Sequence, residues 1–304
     1  MDVSGFEVRP ARPGDREAVV SFTEDTWADR GTGDYIGRVF EEWVAGDGDG
    51  QRTLVLDAGD DVAGICQGVL LSPTEAWAQG MRVNPAFRGE GVSLALTRAV
   101  FDWAAGAGAT VCRNMVFSWN VAGLGQSRAA GFAPETEFRW AHPTPDADAT
   151  PAHDVVADPA AAWSYWTDSP AREHLHGLGL DTGESWALSE VTRERLRAAA
   201  DEDGLFVVQD EGTRAMAYRT RTYERPDDEG GSERWAEYGV GAWDAYEHAE
   251  SLFAGVARDA ARLDADRTRV LVPETARVVS DAAYARAGIS DEPDFVLAAD
   301  LTGR

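Results

Sequence analysis

Apolar positions along this chain follow two rhythms. From Val92 they recur at Ala95, Leu96, Ala99, Val100 and Trp103, steps of three and four that draw one stripe along a helix. Ile36, Val39, Phe40 and Trp43 repeat that spacing within 35–44, and Ala249, Leu252, Phe253, Val256 and Ala260 do so within 246–263. Short apolar runs bounded by Gly, Pro and Asp read instead as strands, at 6–10, 53–56, 62–71, 76–83, 110–117 and 135–140. Tight turns at 57–61 and at Ser72-Pro73 make the strands they join antiparallel. Asp15, after Pro13-Gly14, caps a helix running to about Trp27, and 122–130 forms a further short helix.

The later residues repeat this order. Helical stretches at 160–166 and 192–200 precede strands at 205–209, 214–222 and 235–243, the last two split by an acidic loop at 226–231. A helix at 246–263, a strand at 269–272, a helix at 276–287 and a strand at 295–301 complete the chain. Each half thus runs helix, helix, three strands, helix, strand, helix, strand, with one extra leading strand in the first. That is a duplication of fold with little repetition of residues. Pro, Thr, Asp and Ala dominate 142–151, a linker composition. The expected division is therefore a domain at 1–142, a linker at 143–151 and a second domain at 152–304. The fold class is α/β (α+β), with a mixed, mostly antiparallel sheet flanked by helices in each domain.

Length and a hydrophobic fraction of 44% agree with two folded domains, each with a sizeable core. Charge adds more. Asp and Glu number 53 against 28 basic residues, a net charge of −25, and every basic residue is Arg. A uniformly acidic, lysine-free chain fits a salt-loaded cytoplasm, where a Debye length of about 3 Å at molar salt screens the repulsion. Nucleic acids and anionic membranes call for clustered basic residues, which are missing here, so neither is an expected partner. Met1–Pro10 carries Asp2, Glu7 and Arg9 and has no apolar leader segment, and no run reaches transmembrane length; the expected location is the cytoplasm. Cys66 and Cys112 each sit in an apolar run and read as buried small hydrophobes. Of the five His only His174 and His176 are neighbours, with no Cys or third His beside them, so they are expected at the surface and no metal site is expected.

The chemistry concentrates in Val83-Asn84-Pro85-Ala86-Phe87-Arg88-Gly89-Glu90-Gly91-Val92-Ser93-Leu94, between a strand and the amphipathic helix. Free N–H groups at a helix start converge on an anion, and glycines let the backbone approach it. Arg88 adds a charge-assisted bond to a phosphate. The preceding strands are joined by hairpins, which argues against a dinucleotide-binding βαβ unit.

This stretch resembles the coenzyme A loop of the GNAT acetyltransferase superfamily: Arg or Gln, two residues, Gly, one residue, then Gly or Ala. Here these are Arg88, Gly91 and Ser93, the serine being a small departure. The resemblance implies acetyl-coenzyme A as cosubstrate, held by Arg88, Gly89, Glu90, Gly91, Val92 and Ser93 and by the strand Met81, Arg82 and Val83, whose backbone pairs with the pantetheine arm. Asn120, followed at the end of the next helix by Gly131-Phe132, matches the residue that holds that arm. Four residues before Gly131 the family usually has an acid tyrosine; Ser127 stands there, a weaker acid acting directly or through water. For the base, Glu75 leads into the strand upstream of the loop, with Asp25, Glu41 and Glu42 as alternatives.

The second half has Gly239 and Gly241 inside a strand and no Arg at the family spacing, so it reads as a degenerate copy that keeps only Tyr284 four residues before Gly288. Trp163, Trp166, Trp186, Trp235 and Trp243 read as core, with one or two available to line a cleft. Three functions follow: an N-acetyltransferase acting on a small amine, a silent acyl-coenzyme A sensor, and a ligand-free structural protein. The resemblance also makes a homodimer the family habit. The acceptor stays open among polyamines, amino acids, aminoglycoside-like amines and protein N-termini.

Overall fold

The computed structural model describes residues 6–27, 33–226 and 231–304; residues 1–5 and most of the acidic loop at 226–231 lie outside the described residues. The chain forms two compact units, the first of residues 1–116, 120–134 and 296–304, the second of 117–119 and 135–295. This is not the division that linker composition suggests at 143–151. The closing segment lies in the first unit, and residues 135–142 lie in the second. Composition marks where a chain is polar, whereas the units follow strand pairing.

In the first unit, β1 (Glu7–Pro10), α1 (Arg16–Thr23), α2 (Ile36–Gly46), β2 (Gln51–Asp57), β3 (Val62–Leu70), β4 (Glu75–Val83), α3 (Val92–Gly106), β5 (Val111–Phe117) and α4 (Val121–Ala130) follow the apolar rhythm closely. β1 to β4 pair antiparallel in sequence, and β4 pairs β5 in parallel after the α3 crossover. The helical stripes bury as expected. Val19, Ile36, Phe40 and Trp43 pack with Val55, Val62 and Ile65, while α3 buries Val92, Leu96, Val100 and Phe101. Asp15 differs from expectation. It precedes α1 but makes no side-chain cap bond; its carboxylate instead takes two 2.8 Å bonds from Arg9, and α1 stops at Thr23. One set of enclosed polar side chains is paired in a row: Gln79 donates to Gln67, Gln67 to Thr53 and Thr53 to Asp47, running from β4 across β3 to β2 and the end of α2.

The second unit contains β6 (Ala133–His142, most of it), β7 (Asp154–Val156), α5 (Pro159–Asp168), α6 (Pro170–His174), β8 (Leu178–Leu180), β9 (Leu188–Glu190), α7 (Arg193–Asp201), β10 (Leu205–Gln209), β11 (Thr213–Pro226), β12 (Ser232–Trp243), α8 (Tyr246–Arg262), β13 (Arg267–Pro273), α9 (Ala276–Tyr284) and β14 (Gly288–Ile289). Its strands lie in the order β6-β13-β12-β11-β10-β7. β12 and β13 are parallel with α8 between them, the same crossover as β4–α3–β5. The last strand, β15 (Asp294–Asp300), joins the first unit from Val296 onward, beside β5. Leu301 N–H donates to the Thr110 carbonyl at 2.9 Å, and Arg304 pairs with Asp102 at 2.8 Å.

Each unit is therefore mixed α/β with a mostly antiparallel sheet flanked by helices. Cys66 and Cys112 are buried, and burial pushes the Cys66 thiol up to about 12, so both behave as small apolar residues. His176 is exposed as expected. His174 is half-buried, with Nε2 on the Glu137 carbonyl at 2.9 Å. Among the described residues no helix is long and apolar enough to cross a membrane.

Candidate functional site

The parallel ladder between β4 and β5 is short. It joins Glu75 to Val111, Ala76 to Cys112 and Trp77 to Arg113, and among the described pairs it goes no further. From Ala78 to Val83, β4 pairs with β3 and, among the described residues, with no strand on its other side; the Met81 carbonyl accepts from Arg82 Nη1 at 3.0 Å. The parting coincides with a bulge. Ile65 pairs with Arg82 and Gln67 with Gln79, so β4 carries one more residue than β3 between those points. Gly80 sits in the bulge with φ +66, and a Cβ there would lie 2.5 Å from Trp43 Cη2. Only glycine meets both demands.

Beyond β4 the chain makes a tight turn. Asn84 Oδ1 accepts from the Ala86 N–H at 3.1 Å, and its Nδ2 donates to the Val62 carbonyl at 3.2 Å, which fixes where the loop leaves the sheet. Gly89 and Gly91 follow with φ +84 and +81, a left-handed region that favours glycine, and nothing lies within 4 Å of either missing Cβ. Gly91 is the N-cap of α3 and no side chain caps it; the first turn of α3 holds no acidic residue. The first N–H groups of α3 therefore lack intrahelical acceptors and carry the positive end of a fifteen-residue helix. Arg88 is exposed; its N–H donates to the Pro85 carbonyl at 3.4 Å, and among the described residues its side chain makes no hydrogen bond or ion pair. Glu90 is also exposed, with its N–H on the Phe87 carbonyl at 3.4 Å. This cradle can hold a polyanion with an extended polar arm.

Met81 and Val83 are half-buried on the open stretch of β4. The Arg82 side chain turns towards α1 and α2, where Nε meets Asp34 Oδ2 at 2.6 Å and the guanidinium lies 4.4 Å from the Trp27 ring. Asn120 caps α4, its Oδ1 accepting from the Gly123 N–H at 2.9 Å, which leaves the amide nitrogen able to donate outward. Ser127 is buried, 1% exposed, and its Oγ accepts from Asn114 Nδ2 at 2.9 Å. Asn114 is marked by no sequence motif. It stands on β5 one residue past the end of the ladder, and its Oδ1 has no hydrogen-bond partner among the described residues.

Glu75 lies at the other end of β4, where the ladder is closed. Its carboxylate meets Arg113 Nη1 at 2.8 Å and Ser72 Oγ at 3.0 Å, with both charged side chains 9% exposed. An enclosed carboxylate already matched by a guanidinium is a structural ion pair, a setting that does not favour the base role expected for Glu75. Among the alternatives Asp25, Glu41 and Glu42 are exposed, and Glu41 pairs with Arg16 at 3.3 Å.

In the second unit α8 also starts without a side-chain cap, but the surroundings of its first turn differ. Glu247 adds negative charge to the first turn of α8, and Arg277 Nη2 donates to the Trp243 carbonyl at 2.8 Å and also to that of Asp244. Tyr284 is 65% exposed and rests on Tyr246. Trp166 and Trp243 are core; Trp186, half-buried, shares the Arg269 guanidinium with Trp140.

Residues 17–125 match the sequence model of the acetyltransferase (GNAT) family. No curated protein matches the chain. Among solved structures, a GCN5-related N-acetyltransferase from Sphaerobacter thermophilus is similar over 99% of this chain and 96% of its own, with a TM-score of 0.60 and 15% identity. A candidate acetyltransferase from Thermoplasma acidophilum is similar over 97% and 99%, with a TM-score of 0.56 and 16% identity. Another, from Pyrococcus horikoshii, covers 97% and 89%, with a TM-score of 0.54 and 16% identity. At these identities the likeness is one of fold.

Proposed function

We propose, from the premise that residues 17–125 are a GNAT acetyltransferase segment, that the chain is a cytoplasmic N-acetyltransferase moving an acetyl group from acetyl-coenzyme A to a primary amine of a small acceptor. The family match supports acyl transfer, and one observation supports the coenzyme site. The stretch of β4 that lacks a partner strand on its β5 side runs directly into a glycine-lined, uncapped helix start flanked by Arg88, whose side chain has no partner among the described residues.

In this reading the pyrophosphate takes the α3 N–H groups from Gly91 to Ser93, with Arg88 beside them. The amide-bearing arm adds to β4 along Met81 to Val83 as a further strand, and Asn120 donates to it from α4. Exposed Val121, 78% accessible next to Asn120, supplies apolar surface for the arm to cover. When bound, the cosubstrate supplies an activated thioester. Open N–H groups of β4 then stabilise negative charge on the carbonyl oxygen. Ser127, held by Asn114, is a positioning residue for the α4 end; the amine nitrogen bonds to the acetyl carbon as the carbon–sulfur bond breaks, and the proton the amine loses passes through water to the departing thiolate. The second unit is proposed to be a degenerate copy of the fold that binds no coenzyme, in keeping with Glu247 and Arg277.

The enclosure of Glu75 and Ser127 favours one competing reading, a silent acyl-coenzyme A binder. Calorimetric titration of acetyl-coenzyme A into the wild type, Arg88→Glu and Gly91→Trp in about molar KCl tests the site. Binding weakened about tenfold or more by Arg88→Glu is expected, the loss of one charge-assisted phosphate contact. No binding by the folded wild type overturns both readings. Free-thiol release with a panel of amines then separates the enzyme from the silent binder.

A further inference from the structure

Spacing along the chain marks no metal site. Strand pairing in the second unit nonetheless brings together three metal-ligating side chains that are far apart in sequence. His153 immediately precedes β7 and Asp210 immediately follows β10, and the antiparallel pair Asp154–Gln209 sets them side by side. His248, in the first turn of α8, completes the group. One donor atom from each of His153, Asp210 and His248 lies within 4.8 Å of the others.

We propose that His153, Asp210 and His248 form a binding site for a divalent transition-metal ion, zinc in the first instance. The distances carry the argument. Asp210 Oδ2 is 3.2 Å from His248 Nε2 and 3.6 Å from His153 Nε2. Zinc–ligand bonds of about 2.0–2.1 Å at tetrahedral angles require donor–donor edges of about 3.3–3.4 Å, between these two values. Those two edges need shifts of a few tenths of an ångström to share an ion, and the third, between the two imidazoles, lies within 4.8 Å. Two imidazoles and one carboxylate are a borderline donor set that suits zinc, cobalt or nickel better than magnesium or calcium. The ring of His153 is already oriented. Its Nδ1 lies 2.9 Å from Oγ of Ser251, a residue 1% exposed, and this leaves Nε2 facing the cluster. The Asp210 side chain is 45% exposed, which opens a fourth position to water.

The neighbouring charges do not compete for the donors. Arg214 Nε donates to the Asp210 backbone carbonyl at 2.9 Å, and its Nη1 faces Asp244 at 3.6 Å. The Asp210 carboxylate is left to the two imidazoles. His248 Nδ1 is buried without a hydrogen-bond partner among the described residues, so one ligand lacks the outer support that strengthens metal sites. The affinity is accordingly expected in the micromolar range rather than tighter. The ion would tie the β7 entry, the β10–β11 turn and the start of α8 together, independently of acetyl transfer.

Cobalt(II) titration of the full, untagged, chelator-treated chain tests this by visible absorption. Intense ligand-field bands saturating at one equivalent and displaced by zinc are expected, since tetrahedral nitrogen-bearing sites absorb far more strongly than hydrated cobalt held by surface carboxylates. Asp210→Asn and His153→Gln should each weaken binding at least about tenfold, and Ser251→Ala by about ten- to a hundredfold, with circular dichroism unchanged. Ser251→Ala keeps all three donors, so it reports on ring orientation even if a ligand variant folds poorly. Absence of the bands in the wild type overturns the proposal, as does equal cobalt affinity in Asp210→Asn, which would leave a plain hydrogen-bonded Asp–His–His cluster.

Discussion

The Glu75–Arg113 pair sets one residue's structural role against a chemical one. Glu75→Gln replaces the buried charge facing Arg113 with a neutral amide and should cost about 1–3 kcal/mol of stability, read by urea denaturation. Turnover per folded molecule should fall by less than about tenfold. A loss beyond about a hundredfold with stability intact would instead make Glu75 the base. Asp294 offers a cleaner electrostatic test. It is 5% exposed, and burial pushes its pKa from 3.8 up to about 6 despite a 3.0 Å bond from Trp140 Nε1. The folded state therefore binds the extra proton. Its contribution to stability is greatest below the unfolded value of 3.8, falls as pH rises towards about 6 and stays lost above it. Asp294→Asn keeps an acceptor for Trp140 and removes the buried charge. It should stabilise the protein by about 1–3 kcal/mol at neutral pH and by almost nothing below about pH 4. A variant less stable than wild type at neutral pH would show that the carboxylate is better matched than its burial implies. Single residues are legible in the sequence where their role is local. Gly89 and Gly91 act within a few positions of themselves. Glu75 with Arg113 and Ser127 with Asn114 are not, because these partners stand 38 and 13 positions apart and meet only through the β4–β5 register and the packing of α4.

At the level of elements, apolar rhythm locates every long helix and strand to within a few residues, since each must bury one face. The short ones, β7, β8, β9, α6 and β14, escape because two to five residues carry too little periodicity to read. The bulge in β4 escapes for another reason. An isolated glycine in a strand is a familiar sign of one, but its position against Trp43 is a tertiary fact. Gly80→Ala adds a methyl group 2.5 Å from the Trp43 ring at φ +66, and should destabilise by about 2–3 kcal/mol. Straightening β4 should also impair coenzyme binding in whatever fraction folds. A stable variant with unaltered affinity would separate the bulge from the proposed site.

Charge governs the whole molecule. At −25, with all its cations arginines, the chain should be destabilised by self-repulsion at low salt. Raising KCl from about 0.1 M to about 1 M shortens the Debye length from about 10 Å to about 3 Å and should raise Tm. A Tm that falls with KCl would mean that the arginine–carboxylate pairs outweigh the repulsion. The two-unit organisation is only half legible. The repeated element order is visible in the sequence, but the placement of residues 296–304 in the first unit and 135–142 in the second is not, because pairing partners leave no local mark. That placement bears on how the chain is made. A ribosome adding about 5–20 residues per second finishes α4 roughly ten to thirty seconds before β15 emerges. Throughout that interval the nascent first unit presents the bare edge of β5, a template for any passing strand. Crowded polysomes would then favour the exchange of β15 between sister chains, giving interlocked dimers whose yield rises with translation density.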